Sequence, residues 1–439
     1  MPLDHLATDS GRELMEALLR PQVWRHRRID SLRLMEDQTG RRRVSIDCTP
    51  PAAPALAYYP QERRRGLAEI VGPLVIPVGL MEKGPLRHFD ISIEGEGPIP
   101  ILGRNEYRPL MVDALIGELG DAGAVIEPRE HSLKRALESL VDGDPESASE
   151  MARGLIETGM VGSERVLDPK QLSQPVGSLL EVLARRFAIL ALVPPHLAGG
   201  RTVIKYSYYW KVEPTQPPSL ADRLLSAAGF RSLPLNIETG GAGEASSFHL
   251  EIHAPSGVVI RSLTMSTEGA NEDLVPRNAM DLGPESVAHV SVNYAPRSQP
   301  GDAVALLQPA RGVAPGLTVW VPAFAFWFLA LALILPNGKD ALLRAADGGA
   351  TILLALPAVV AALTVRVGEN RIASDVLLMS RLVVLAHALM LLIVAASLVG
   401  SLREPYLTAL WLVFSITAGL TWAYFLLGHV VGGSRKNVT

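Results

Sequence analysis

Arg25, Arg27 and Arg28 open a strand-like segment, with His26 between the first two. Arg41, Arg42 and Arg43 begin the segment that returns, and Arg63, Arg64 and Arg65 follow just after Tyr58 and Tyr59. A guanidinium presents a planar fork of donors that fits phosphate oxygens and stacks on bases. Arginine runs beside tyrosines therefore suit a phosphate-bearing ligand. Lys205, Ser207, Tyr209 and Lys211 form a further strip, because alternate residues of a strand share a face; Ile204, Tyr206, Tyr208 and Trp210 take the other. Between Arg20 and Arg65 the chain carries 11 basic and 5 acidic residues. A second reading stays open, in which the arginines pair across strands with Asp30, Glu36, Asp37 and Asp47 or are drawn to a membrane surface, and the aromatics are core.

Two smaller groups carry titratable chemistry. His249, Glu251 and His253 share one face of a strand-like run, with Phe248, Leu250 and Ile252 on the other. Two imidazoles and a carboxylate can ligate zinc; the same spacing also describes the polar face of a half-buried strand. His387 lies well inside an apolar run, between Ala386 and Ala388. An ionisable group there faces a bundle interior or a pore, or it bonds to a backbone carbonyl. P-loop, G-x-S-x-G, H-E-x-x-H and cysteine-pair signatures are absent. Gly95-Glu96-Gly97 runs into Pro98, so it reads as a turn. The expectation is a protein that is not an enzyme and takes no cofactor.

The elements that must hold these residues follow from composition. The 439 residues have a net charge of −4 and a mean hydropathy of +0.22. The average hides two parts: residues 1–311 carry 33 basic and 40 acidic side chains, residues 312–439 only 8 and 5. Long apolar runs fill the second part, at about Leu317–Leu335, Gly349–Val365, Leu382–Leu402 and Leu407–Val431. Each approaches the roughly 20 apolar residues that cross a bilayer. The second is short and carries Pro357, so a buried or re-entrant helix remains an alternative.

With four spans, Arg311, Arg366, Arg371, Arg381, Arg435 and Lys436 share one side, and Lys339, Arg344 and Arg403 the other. Basic residues favour the cytoplasm, which places the head and the C-terminus there, in an inner membrane. The first 21 residues lack the apolar core of a signal peptide. The single Cys48 excludes an intramolecular disulfide.

The expected fold class is an α+β cytoplasmic head, strand-rich with a helical middle, followed by an all-α C-terminal bundle of about four transmembrane helices. Residues 1–103 read as strand-rich after an opening helix, with hairpins at Trp24–Thr49 and Phe89–Leu102. Residues 104–195 read as helical up to Pro194-Pro195. Residues 196–311 read as β-rich and membrane-proximal, with mobile loops at Thr239–Ser247 and Ser266–Gly283. Residues 312–439 form the membrane domain.

An arginine-rich, non-catalytic head fused to a small C-terminal bundle resembles the membrane effectors of bacterial antiphage systems, and among these the channel effector of Hailong defence. The resemblance is one of layout and covers the whole chain, with Arg25–Arg28, Arg41–Arg43 and Arg63–Arg65 as the residues that would carry it. It implies a homo-oligomer in the lipid bilayer whose head binds a nucleotide or single-stranded DNA oligomer made by a partner nucleotidyltransferase, and gates an ion channel. The competing expectation is a membrane-tethered scaffold with a protein-binding head. A weaker third is an enzyme or transporter using His387 or the His249, Glu251 and His253 group.

Overall fold

A computed structural model of the protein describes residues 9–35, 39–52, 56, 72–125, 130–211, 219–239, 242–265, 286–293, 302–310, 313–344, 371–399 and 402–434. The chain opens with α1 (Asp9–Leu19), β1 (Arg25–Leu34), β2 (Thr39–Cys48), β3 (Leu74–Glu82), β4 (Asp90–Ile93) and β5 (Gly97–Pro98). Then come α2 (Arg104–Asp121), α3 (Glu130–Asp142), α4 (Pro145–Glu157), the short pair β6 (Met160–Val161) and β7 (Glu164–Arg165), and α5 (Gln174–Arg185). Strands return with β8 (Arg186–Val193) and β9 (Thr202–Lys211), followed by α6 (Leu220–Ala227), β10 (Leu233–Glu238), β11 (Ser247–His253), β12 (Val258–Met265), β13 (Val287–Asn293) and β14 (Asp302–Pro309). The last third holds α7 (Val313–Ile334), α8 (Gly338–Arg344), α9 (Arg371–Val399) and α10 (Tyr406–Ser434).

A seven-stranded sheet in the order β13-β11-β1-β2-β9-β4-β5 organises the head. It draws strands from both the N-terminal and the membrane-proximal parts, so those stretches interleave in one sheet. Its inward face packs on two cores. At the β2, β9 and β4 end, Val44, Ile46, Ile204, Ile91 and Ile93 meet the β3–β8 pair and the helices α2 to α5. At the β1, β11 and β13 end, Leu32, Phe248, Leu250, Ile252 and Val290 meet a second sheet of order β10-β14-β12. Strict alternation dictates this sandwich: β10 buries Leu233, Leu235 and Ile237 and exposes Pro234, Asn236 and Glu238. Where helices start, caps are in place. Asp144 accepts from the backbone N–H of Glu146 and Ser147 at 3.1 Å to begin α4, and Ser219 accepts from that of Asp222 at 3.1 Å to begin α6.

The structure departs from the sequence reading in its elements: β6 and β7 interrupt the stretch read as helical, and α6 lies within the stretch read as β-rich. Phe187–Val193 belongs to a strand, β8, that pairs antiparallel with β3, although its apolar run continues that of α5; periodicity does not separate a short buried strand from a helix. Ile101 bridges Ala191 of β8 instead of extending the β4–β5 hairpin. The helix expected from Leu382 starts at Arg371, because its first turns lie against the head rather than in lipid: Ala373 and Val376 are buried in the second core.

Among the described residues, three helices are long and apolar enough to cross a membrane, within Gly316–Ile334, Ile372–Val399 and Tyr406–Val430. The run at Gly349–Val365 lies outside the described residues. Trp411 is fully buried among the helices and donates its indole N–H to Ser397 Oγ at 3.1 Å. Gly419 lies against the Phe326 ring, where a Cβ would come within 2.8 Å.

Candidate functional site

The β1–β2 hairpin divides its arginines between two faces. On the outer face, cross-strand register sets Arg33 opposite Arg41 and Arg41 opposite Tyr209, forming one row across β1, β2 and β9. The next row is Ser31, Arg43 and Ser207, and a third is Ile29, Ser45 and Lys205. Rows are about 7 Å apart along a strand and neighbours within a row about 5 Å. Arg27, Arg33 and Arg43 are exposed and make no hydrogen bond or ion pair among the described residues. Arg41 donates to Ser207 Oγ at 3.2 Å, and Lys205 lies 3.3 Å from Glu94. His88 packs edge-on to Tyr209 at 4.8 Å. Arg27 stands opposite Asp47, which is occupied by both Nε and Nη2 of Arg201 at 2.8 and 2.7 Å. That hydrogen bonding holds the Asp47 carboxyl below the usual carboxylate range.

Arg25, Arg28 and Arg42 belong to the inner face, contrary to the expectation that the whole run meets a ligand. A bulge between Arg25 and Arg27 changes the parity of β1, so Arg25 and Arg28, three residues apart, both turn inward. Arg28 donates to Asp30 through Nε at 2.8 Å and Nη2 at 3.3 Å, and also pairs with Glu244. Arg42 holds Asp30 through Nε at 2.9 Å and a second contact through Nη2. Arg25 reaches Glu244 at 2.7 Å and the Pro77 carbonyl at 2.6 Å. Burial alone would raise the Asp30 pKa, but Arg28 and Arg42 outweigh it and hold the carboxyl below its ordinary value. Burial lowers the Arg25 pKa against the opposing charge of Glu244. These three guanidiniums are committed to the seam between the two cores. Glu244, in the Gly/Ala/Ser stretch read as a mobile loop, is the partner the sequence reading missed; its only sequence signal is that it is the one acid there.

His249, Glu251 and His253 do share the outer face of β11, as alternation predicts, beside β13. They do not converge: His249 bonds through Nε2 to Ser247 Oγ at 3.0 Å and through Nδ1 to His289 Nε2 at 3.1 Å, while His253 lies 3.6 Å from Glu251. No group of three metal-ligating side chains gathers among the described residues. Burial first, then His289 and Arg27, push the His249 imidazole below its usual value. Lys211 ends β9 opposite Thr39. Arg63, Arg64 and Arg65 lie outside the described residues.

His387 is buried on α9 and its Nδ1 engages the Val383 carbonyl at 2.8 Å. Next to it, Val384 and Ala388 pack on Val321 and Leu317 of α7. The imidazole thus faces the interior of the bundle within one chain. No protein-family model and no curated protein sequence matches this chain.

Proposed function

We propose that the protein is an oligomeric membrane effector whose head binds a phosphate-bearing ligand on the open face of the large sheet and so gates an ion path through the membrane helices. One observation carries the reading: Arg33 stands directly across from Arg41, with Arg43 next along the strand, and none of the three forms an ion pair with a carboxylate among the described residues. Like charges directly opposite each other cost stability in a sheet, and an anion laid across them offsets that cost with charge-assisted bonds. Tyr209 at the end of the row offers a ring for a base. A nucleotide or single-stranded DNA oligomer has both parts. Cytoplasmic orientation, assembly into a homo-oligomer, a partner nucleotidyltransferase and a role in antiphage defence belong to the same reading.

The test is reconstitution of the full chain in liposomes loaded with an ion-sensitive dye, with nucleotides and oligothymidylate added. A ligand-dependent ion flux that is lost in the Arg33→Ala, Arg41→Ala, Arg43→Ala triple variant is the expected result. No flux and no oligonucleotide binding would overturn the reading in favour of a tethered scaffold.

A further inference from the structure

Six buried side-chain polar atoms lack a hydrogen-bond partner among the described residues, and four of them lie at the joint between head and membrane helices. They are Arg223 Nε and Ser226 Oγ of α6, Gln308 Nε2 of β14 and Ser380 Oγ of α9. Native interiors pair such atoms with protein or with water, so the joint is a buried place where polar groups and apolar packing meet. Counting about 20 residues inward from the turns at the far ends of α9 and α10 puts the head-side edge of the apolar slab near Met379 and Leu427. Helix α6 sits at that level. Ala227, Ala228 and Phe230 pack on Val319, Met379, Val383, Tyr424 and Phe425. Gly428 of α10 lies so close to the Ala228 carbonyl that a Cβ there would overlap it. One ion pair ties the helix down, Arg223 to Asp375 of α9 at 3.0 Å.

The position of α6 in the chain matters as much as its packing. It follows β9, which carries Lys205, Ser207 and Tyr209 of the cationic face, and precedes β10, whose Glu238 carbonyl accepts from Arg42 at 3.4 Å. We infer that α6 is a releasable clamp: docked, it holds α9 and α10 in the arrangement described, and loss of the Arg223–Asp375 pair frees it and them. Its apolar contacts and ion pair favour the docked state, while the polar groups buried with them favour a hydrated one, which gives the joint two discrete arrangements. The link from ligand to clamp rests on the proposed function; the clamp itself does not.

Hydrogen exchange of the full chain in lipid nanodiscs tests it. Arg223→Glu and Asp375→Arg should each speed exchange of the α6 amides on the order of tenfold while β10 and β14 stay protected, and the double swap should restore the slow rate. Should the charge reversals fail to fold, Asp375→Asn and the charge-neutral Gly428→Ala carry the same expectation. Unchanged α6 exchange in all of these, or exchange that rises only together with β10 and β14, overturns the clamp. Oligothymidylate that binds the wild type should also speed α6 exchange; binding without that change overturns the link from sheet to clamp. Absence of binding instead counts against the proposed function, and the charge-pair variants still decide the clamp.

Discussion

Replacing Asp30 with Ala separates the two jobs of the hairpin arginines. Asp30 is wholly buried and is the shared partner of Arg28 and Arg42; among the described residues Glu244 is the only other carboxylate in the cluster, against three guanidiniums. Its removal leaves Arg42 without a carboxylate and Arg28 with Glu244 alone. Truncating one partner of a buried ion pair costs about 3–5 kcal/mol, and in a head of this size each kcal/mol lowers Tm by about 2 °C. Thermal unfolding of the purified full chain should therefore drop by about 6–10 °C. Arg33→Ala, on the same strand but facing out, should stay within about 0.5 kcal/mol of wild type. Acid gives an independent check. Because the folded Asp30 pKa is depressed, its stabilisation is complete above the ordinary carboxylate value and is lost as pH falls through the folded one. Asp30→Asn should accordingly flatten the stability profile below about pH 4. A Tm for Asp30→Ala within about 2 °C of wild type would refute the reasoning.

Further expectations follow from the same faces. Single replacement of Arg33, Arg41 or Arg43 by Ala should reduce the slope of log affinity against log salt for oligothymidylate by about 0.7 for each lost phosphate contact, read by fluorescence anisotropy. Gly40→Ala would drive a Cβ into the Trp210 indole across the β2–β9 pair, and should cost about 1–3 kcal/mol in thermal unfolding. His249 resists protonation, so its strand pair should be intact above the ordinary imidazole range and weaken as pH falls below about 6.5. The protection factors of the β11 and β13 amides, which correct for the intrinsic pH dependence of exchange, should fall with pH across that range in wild type and stay flat in His249→Gln.

Alternation made much of the head readable. It fixed the outer strip Lys205, Ser207 and Tyr209, the aligned His249, Glu251 and His253, and the β-rich stretch that holds β9 and β11 to β14. It failed where a single inserted residue reverses parity: the bulge between Arg25 and Arg27 puts Arg25 on the same inward face as Arg28, and no local pattern announces a bulge. Arg33 escaped attention because it stands alone in the sequence, and becomes part of a cationic row only when register sets it opposite Arg41. Glu244 was hidden for a similar reason, since its partners are more than 200 residues away. Hydropathy located the membrane helices but not the start of α9, because its first turns are buried by protein and tolerate Arg371 and Asp375.

Helix α9 is at once a membrane span and a piece of the head. Ala373 and Val376 fill the sandwich core beside Leu263 and Leu307, yet the ribosome makes them only after α7 has emerged. The sandwich core is therefore complete only once the first turns of α9 have been made and docked. A copy whose α9 fails to dock keeps that end of the core uncapped, and an opened core of this kind is accessible to proteolysis. Fragments ending before Arg371 would carry the same defect, which makes the full chain the unit to express and purify.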